Sequence, residues 1–288
     1  MDRSDLAERM KGYEKRNRYY LQRRMPVILR LDMRAGHNFT RGFERPFDEV
    51  FIKSMQDTAK YLCKNIQNCK LSYQQSDEIT LLLVDYDKLN TDCFFDYRVD
   101  KLCSIAASMA TMAFNKYFYD NVFVYNATAT VDLSDKKYPF KEVYSKAVDK
   151  GAMFDARCFN IPKEEVTNLV YWRQLDASRN SIQMVGQANF SHKELQNKSC
   201  NDIQDMLMTQ KGINWNDLPT YQKRGSCCIK IEENITENNS VEKMEFGENR
   251  KKIVVNIEHS HWIIDTDIPI FKGEGREYID RLVFVGEE

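Results

Sequence analysis

The stretch from Ser72 to Leu83, SYQQSDEITLLL, constrains the fold most strongly, because two adjacent acids separate an alternating segment from a run of leucines. A short apolar run of this kind is typical of a buried strand. Carboxylates at the edge of such a strand must be solvated, paired or bound to a metal ion. The wider segment KLSYQQSDEITLLLVDY therefore predicts two strands around a tight turn near Ser76–Asp77, with a single bent strand as the alternative.

The segments around this hairpin alternate between strand and helix patterns. PVILRLD, from Pro26 to Asp32, predicts a strand, and FDEVFIKSMQDTAKYLCKN predicts a helix. After the hairpin, YRVDKLCSIAASMATMAFNKYF predicts a long helix. VFVYNATATVDL and AMFDARCFNIP are strand-like and are separated by a lysine-rich linker that contains Lys136, Lys137, Lys141, Lys146 and Lys150.

From Pro162 the pattern becomes helical. Ser191 and Glu194 fit a capping box in SHKELQ, and Gly212 fits the C-terminus of a helix formed by NDIQDMLMTQKG. The polar stretch EENITENNSVEKMEFGENRKK predicts a loop between strands, and IVVNIEHSHWIIDTDIPIFKG returns to strand-like alternation.

The order strand, helix, strand, strand, helix, strand is that of a ferredoxin-like sheet. We therefore expect an α+β fold in which an antiparallel sheet carries helices on one face, as in polymerase palms and nucleotidyl cyclases. Residues 1–160 would form this palm together with a basic N-terminal helix, and residues 161–288 would add a helical and β extension. The fold alone does not decide the function.

The composition fits a reduced protein without a membrane span. With 288 residues, of which 42% are hydrophobic, the chain suffices for one large domain or two moderate ones. No stretch approaches the roughly 20 apolar residues of a membrane span, and MDRSDLAERMKGYEKRN lacks the apolar core of a signal peptide. The eight cysteines are scattered and none forms a CxxC pair. These features predict a cytoplasmic protein with buried, reduced thiols.

The charges are distributed unevenly along the chain. Residues 231–288 contain 7 Lys/Arg and 14 Asp/Glu, whereas the segment from Arg9 to Arg24 contains seven cations, one acid and three tyrosines. This segment is suited to contact with an anionic polymer such as a nucleic acid. The alternative, which we favour because charge runs are generally solvated faces, is an amphipathic helix; the two interpretations are compatible. The residues facing the core would be Leu6, Met10, Tyr13 and Leu21.

Two acids lie where a palm places its carboxylates. Asp32 ends the first predicted strand and Asp77 lies in the hairpin, and these ends are adjacent in a ferredoxin-like sheet. Two carboxylates there suit Mg²⁺, which prefers oxygen ligands and substrate phosphates. Two such ions about 4 Å apart would activate a hydroxyl and stabilise a leaving pyrophosphate. Taken alone, an Asp after a strand is more often a turn residue or a helix cap.

The loop after Asp32 strengthens the metal interpretation. It contains Arg34, Gly36, His37, Arg41 and Arg45. A glycine-containing turn exposes backbone N–H groups, and arginines bind phosphate oxygens in a bidentate manner. The histidine alone would equally fit a packed, hydrogen-bonded role.

Six motifs along the chain carry a family resemblance. They are VILRLDMRAGHNFTRGFERPFD, YQQSDEITLL, FDARCFNIP, YWRQLDASRN, FSHKELQNKS and WNDLPTYQKRG. In this order they closely resemble the tRNA-histidine guanylyltransferase superfamily, most of all its bacterial, archaeal and phage guanylyltransferase-like branch of 3′-to-5′ RNA polymerases. The resemblance extends from about Leu6 to Gly225 and more loosely through WIIDTDIPIF and REYI.

The resemblance implies a catalytic centre with two Mg²⁺ ions. Their ligands would be Asp32, Asp77 and the backbone carbonyl of Met33, where the family usually has glycine. Glu78 is the family's acid beside the second ligand, and we count it with both aspartates as a catalytic candidate. The implied nucleotide-binding residues are Arg34, Ala35, Gly36, His37, Arg45, Ser76 and Arg157.

The resemblance also implies an RNA partner. Residues 161–288 would contribute to RNA binding and to a homotetramer, and the candidate RNA contacts are Arg16, Arg18, Arg23, Arg24, Arg179, Asn180, Lys223 and Arg224. Eukaryotic members have an HINN segment after WRQAD, whereas Ser178, Arg179, Asn180 and Ser181 follow WRQLD here. In lacking this histidine, the chain resembles the branch that repairs 5′-truncated tRNAs.

We therefore expect template-directed addition of nucleotides to the 5′ end and acceptor stem of tRNA. ATP would activate the 5′ end, and the 3′-hydroxyl of GTP or another NTP would then attack it. The alternatives are a dedicated tRNA-histidine guanylyltransferase, a cyclase or conventional polymerase on the same palm, and a non-catalytic RNA-binding palm protein.

Overall fold

A single six-stranded antiparallel sheet organises the protein. The computed structural model describes residues 4–131, 140–235 and 257–286. Within them the strands are β1 (Val27–Met33), β2 (Cys69–Gln75), β3 (Glu78–Leu83), β4 (Phe154–Asn160), β5 (Ser226–Ile235) and β6 (Ile257–Asp265), in the spatial order β4-β1-β3-β2-β5-β6. The helices are α1 (Asp5–Lys15), α2 (Gly36–Phe39), α3 (Glu49–Asn65), α4 (Val99–Val131), α5 (Lys141–Lys150), α6 (Lys163–Asn189), α7 (His192–Leu195), α8 (Cys200–Met206), α9 (Thr220–Arg224) and α10 (Glu277–Val283). The predicted α+β class is confirmed.

The hairpin at the centre of the sequence prediction is present. β2 and β3 pair from Gln75 and Glu78 outward, so that Ser76 and Asp77 form the turn. Ser76 adopts a left-handed conformation with φ 49°, as tight hairpin turns require. The two-strand interpretation is therefore correct and the single bent strand is wrong.

Both faces of the sheet are covered by helices. Side chains alternate along a strand, and Val27, Leu29, Leu31 and Met33 of β1 join one core cluster with residues of α3 and α4. Ile28 instead joins a second cluster with residues of α6 and α10. The prediction of helices on one face only is wrong, because α6 and α10 come from outside the strand-helix unit on which that prediction was based.

The segment VFVYNATATVDL is not a strand. α4 continues to Val131, and Phe114, Phe118 and Val122 all lie in the first core cluster. Their spacing of four residues keeps one helical face buried, and this packing overrides the strand preference of the valines and threonines that follow. The strand-like prediction for AMFDARCFNIP is confirmed by β4.

Part of the predicted lysine-rich linker is helical. Lys141, Lys146 and Lys150 belong to α5, whose Tyr144 is buried and forms edge-to-face contacts with Phe43 and Phe118. The buried tyrosine anchors this helix to the core. Lys136 and Lys137 lie outside the described residues, as does the predicted polar loop from residue 236 onward.

The basic N-terminal helix does not face the core. α1 contains no buried residue, and Leu6, Met10 and Tyr13 are 59%, 44% and 57% exposed. Leu21, which follows the helix, packs partly against the first core cluster and donates its N–H to the Tyr97 carbonyl. The amphipathic interpretation is therefore wrong for α1 and correct only for Leu21.

The C-terminal half follows the predicted pattern. Ser191 and Glu194 form both hydrogen bonds of a capping box, and Gly212 closes a helical turn in the left-handed conformation. β5 pairs with β2, so this half extends the same sheet. The division into domains at residue 160 stays a prediction. None of the described helices has the length and hydropathy needed to span a membrane.

Candidate active site

Four acids lie near one end of the central strands. The register places Asp32 of β1 between Glu78 of β3 and Asp155 of β4. Asp77 lies in the adjoining turn, and its carbonyl accepts a 3.1 Å hydrogen bond from the Met33 N–H. Burial, and then the carboxylates of Asp77, Glu78 and Asp155, raise the pKa of Asp32, while Arg157 opposes them. A cation at this position would offset the repulsion between the carboxylates.

Gly36 brings the loop after β1 against Asp77. A Cβ on residue 36 would overlap the Asp77 carboxylate, so a larger residue would displace either the loop or the acid. The preceding Ala35 is in the left-handed conformation with φ 55° and begins the short helix α2. The predicted loop and the second predicted acid are thus in direct contact.

Glu78 is held by two arginines. Its Oε1 accepts a 2.8 Å bond from Arg173 Nε, and its Oε2 accepts bonds of 2.9 Å from Arg173 Nη2 and 2.7 Å from Arg30 Nη2. Arg173, on α6, is itself buried and also contacts Asp176 at 3.1 Å. This bridge fixes the start of β3 to α6.

Arg173 is a site residue that the sequence prediction missed. It belongs to the quoted motif YWRQLD, but no role was assigned to it. The available signal was a charged residue on a helix with Asp176 three positions later, which places both on one face. The same spacing occurs in ordinary surface ion pairs. Only the structure shows that Glu78 contacts Arg173.

A cleft of about 420 Å³ opens beside Asp77. It lies between the segment that leads into α3, the β2–β3 turn, α6 and α9, and its volume is typical of a small-molecule site. The predicted residues that line it are Gly36, His37, Arg45, Ser76, Asp77 and Asn180. Arg41, one of the loop arginines expected to bind phosphate, also lines it. Further lining residues, to which no role was assigned, include Gln74, Gln75, Ser181, Gln187 and Gln222.

One wall of the cleft is tied to its opposite side. Tyr221 Oη and Gln222 Nε2 on α9 donate to Glu49 Oε1 at the start of α3, at 2.9 and 2.8 Å. Trp215 Nε1 donates to Ser181 Oγ on α6 at 3.0 Å. These bonds connect α9 to α3, and the turn at Trp215 to α6, around one opening.

Other predicted nucleotide-binding residues lie beside the cleft rather than in its lining. Arg34 is exposed after β1 and donates its N–H to the Met153 carbonyl. Arg157 faces Arg30 across the β1–β4 pair, and its exposed guanidinium lies 3.9 Å from Asp155. The structure therefore divides the predicted set between the cleft and the adjoining strand ends.

The predicted RNA contacts are dispersed. Arg23 lies at the opposite end of β1 from Asp32, within 3.7 to 3.9 Å of Asp85, Asp92 and Asp96. The Arg24 N–H donates to the Asp85 carboxylate beside it. Arg16 and Arg18 precede this point, in the exposed N-terminal region.

Three further candidates lie near the cleft. Arg179 pairs with Asp176 and remains 62% exposed. Lys223 donates to the Asn216 carbonyl at 2.5 Å, and Arg224 follows it at the end of α9. The proposed roles of all these residues in RNA binding stay predictions.

Comparison with known proteins decides the family. A family model described as tRNAHis guanylyltransferase (Thg1) matches residues 7–162, which is more than half of the chain. The chain belongs to the tRNAHis guanylyltransferase family. It is therefore a nucleotidyltransferase, and the predicted family and enzyme class are both confirmed.

Relatives and solved structures of the family support this assignment. An uncharacterised protein of Acanthamoeba polyphaga mimivirus is 27% identical over 234 residues, covering 76% of this chain and 75% of that protein. The tRNA(His) guanylyltransferase of Saccharomyces cerevisiae is 27% identical over 214 residues, covering 69% and 80%. A bacterial tRNA(His) guanylyltransferase-like protein in complex with ATP is 39% identical with a TM-score of 0.74, covering 98% of this chain and 100% of that one. Its counterpart in complex with GTP is 35% identical with a TM-score of 0.72 over the same shares.

Proposed function

We propose that the protein adds nucleotides in the 3′-to-5′ direction to the 5′ end of truncated tRNA, directed by the opposite acceptor strand. The observation that carries the proposal is the meeting of Asp32 and Asp77 beside a nucleotide-sized cleft, with Gly36 against the second carboxylate. The bacterial relatives in complex with ATP and GTP support binding of both nucleotides here. On this proposal the unit β1–β4, in the order β4-β1-β3-β2, is a polymerase palm.

The residues present fit two Mg²⁺ ions. In the described parts of the chain, no three His, Cys, Asp or Glu side chains are grouped to hold a metal. Two carboxylates, from Asp32 and Asp77, with the Met33 carbonyl, instead suit Mg²⁺, which retains waters and binds substrate phosphates. When bound, the ions would activate the attacking hydroxyl and stabilise the leaving group.

The chain's own residues bind and orient the reactants. Arg41 and Arg45 on the cleft wall bind the triphosphate, and His37 lies beside them. Glu78 keeps the neighbouring Asp77 in place through Arg173, so its role is positioning rather than contact with the substrate.

The reaction has two steps. An oxygen of the RNA 5′-phosphate attacks the α-phosphorus of ATP and pyrophosphate leaves. The 3′-hydroxyl oxygen of the incoming NTP then attacks the activated 5′-phosphorus, AMP leaves and the hydroxyl proton is released.

A set of truncated tRNAs tests this function. The unpaired acceptor base opposite the missing 5′ nucleotide is varied through all four identities, and the added nucleotide is sequenced. Complementary addition to several tRNA species is the expected result.

A second candidate, a dedicated tRNA(His) guanylyltransferase, is favoured by the name of the yeast relative. Addition of guanylate whatever the opposite base, and only to histidine tRNA, would establish that candidate instead.

We further propose a homotetramer, as the family resemblance implies. Light scattering coupled to gel filtration measures the mass in solution, and a mass near that of one 34.0 kDa chain would contradict it.

A further inference from the structure

A second cavity adjoins the cleft. Its volume is about 580 Å³, and it lies between α6, α7, the turn after α7 and α8. Arg45 and Gln187 line both cavities, so the two lie side by side. The motif FSHKELQNKS forms much of its wall, and the proposed chemistry does not use this motif.

Carboxamides dominate the polar lining. They are Gln183, Gln187, Gln196 and Asn197, and all four are exposed. None of these side chains hydrogen-bonds to another group within residues 4–131, 140–235 or 257–286. A carboxamide presents a donor and an acceptor side by side, which matches the paired donors and acceptors on the edge of a nucleobase.

The charge of the cavity favours an anionic ligand of low charge. Its cations are Arg45 and Lys198, and none of the described residues that line it is Asp or Glu. The neighbouring Glu194 is turned away into the capping box, where it accepts bonds of 2.8 and 2.6 Å from Ser191. Arg45 is already assigned to the triphosphate in the cleft, so Lys198 is left to match the single charge that each nucleotide of RNA carries. The larger charge of a second, free triphosphate would stay mostly uncompensated here.

The helices behind the cavity are closely packed. A Cβ on Gly186 of α6 would lie 2.8 Å from Ile203 Cγ2 of α8, so the two helices approach as closely as a glycine allows. Ile182, Phe190 and Leu207 complete the same core cluster. A preformed cavity spends less free energy on ordering when its ligand binds.

We propose that the second cavity holds an unpaired nucleobase of the RNA, next to the reacting 5′ end. This inference rests on the proposed function, which identifies the polymer as RNA. The position of the site rests on the carboxamides, the two cations and the shared lining residues. The nucleobase is held at its edge by Gln183 and Gln196, while Lys198 contacts the adjoining backbone phosphate and Arg45 stays with the triphosphate at the junction of the two cavities.

Binding of RNA without NTP tests this site. Truncated tRNAs each carry one abasic nucleotide, at one of the three positions nearest the 5′ end or at one of the unpaired acceptor positions. One of these should bind the wild-type protein about tenfold more weakly, as the loss of a paired base edge predicts. The double variant Gln183→Ala/Gln196→Ala should bind intact RNA about tenfold more weakly and show little further loss with that abasic RNA.

The controls separate this site from the cleft and from folding. Gln210→Ala removes an exposed carboxamide that lines neither cavity and should leave the RNA affinity unchanged. Neither Gln183 nor Gln196 lines the cleft, so ATP should bind the double variant as it binds the wild type. If the double variant does not fold, Gln183→Glu provides the second test, because the added charge should weaken RNA binding by repulsion.

Each outcome is decisive. Equal affinity of the wild type for every abasic RNA, or unchanged RNA affinity of the variants, overturns the inference. Loss of ATP affinity with unchanged RNA affinity overturns it in favour of a free nucleotide. Absence of 5′ addition together with the expected binding losses supports this site while overturning the proposed function.

Discussion

Position 33 separates the role of a side chain from that of the backbone. The Met33 side chain is 1% exposed and lies in the core cluster under α3 and α4. Asp32 precedes it on the strand and therefore points to the opposite face. The family resemblance implies glycine at this position, whereas here the methionine fills the core and its carbonyl stays at the end of β1.

Replacing Met33 tests this division. Met33→Gly should lower the free energy of unfolding by about 2–5 kcal/mol, because it leaves a cavity in the core. Met33→Leu keeps the volume and should cost less than about 1.5 kcal/mol. Urea denaturation measures both values. If Met33→Leu keeps its stability but loses nucleotide addition, the side chain has a role in the reaction that we have not assigned.

The two aspartates should be dispensable for folding and required for addition. Asp32→Asn and Asp77→Asn each remove a charge from a site crowded with carboxylates, so neither should lower the midpoint of thermal unfolding. Both should abolish 5′ addition at saturating Mg²⁺, because the proposed metal pair loses a ligand. Near wild-type turnover by either variant, measured with a 5′-labelled truncated tRNA, would exclude the two-metal assignment.

At the scale of elements, the bridge between Glu78 and Arg173 connects β3 to α6. Its distances are 2.8 and 2.9 Å and both residues are buried. Removal of one partner from a buried ion pair costs about 3–5 kcal/mol, because the remaining charge is left uncompensated. Here Arg30 and Asp176 remain as secondary partners, which places the expected cost at the lower end of that range.

A double-mutant cycle on this bridge should show strong coupling. Glu78→Gln and Arg173→Met should each lower the free energy of unfolding by about 3 kcal/mol. The double variant should lose clearly less than the sum, because it leaves neither Glu78 nor Arg173 as an unpaired charge, and Arg30 already loses its partner in the Glu78→Gln variant. Denaturant titrations of the three variants give the coupling energy. Strictly additive losses would show that the bridge does not hold α6 against the hairpin.

The contact between α6 and α8 provides another test, with a matched control. Gly186→Ala places a methyl group 2.8 Å from Ile203 Cγ2 and should destabilise the protein by about 1–3 kcal/mol through overpacking. Gly12→Ala, on the exposed helix α1, meets nothing within 4 Å and should be neutral or stabilising by up to about 1 kcal/mol. Equal effects of both substitutions on the midpoint of thermal unfolding would contradict the close approach of α6 and α8.

Strands and helices whose hydrophobic pattern lies within one short segment could be predicted from the sequence. β1 follows from Pro26 and its apolar run, and the hairpin follows from the acids between two strand patterns. The end of α4 was not predictable in this way, because the burial of Val122 depends on packing against distant residues. The exposure of α1 was missed for the same reason, since an amphipathic pattern does not show whether another element covers it.

The candidate site was predictable only where a motif carried it. Asp32, Gly36 and Asp77 follow from the loop and hairpin motifs, and the structure brings them together. Arg173 carries only the weak signal of its spacing from Asp176, because its contact with Glu78 arises from α6 crossing the sheet. The carboxamides of the second cavity carry none, because α6 and the turn after α7 bring them together from separate segments.

At the scale of the whole molecule, the predicted boundary at residue 160 has a physical test. β2 pairs with β5, and the face that carries Ile28 and Leu82 is covered by α6 and α10. A fragment of residues 1–160 would expose that face and one edge of β2. We therefore expect it to lack cooperative thermal unfolding and to bind a hydrophobic dye. A cooperative transition of this fragment would show that the first 160 residues are an independent domain.

The position of β5 in the sheet also affects how the protein is made. β2 is complete once residue 75 has left the ribosome, but its partner β5 begins at Ser226. At about 5–20 residues per second, the nascent chain keeps the edge of β2 unpaired for roughly 8–30 s. An unpaired edge is a template for association with another chain. During that interval newly made molecules on one messenger RNA are close neighbours, so chaperones that cover this edge at the ribosome should raise the yield of this protein.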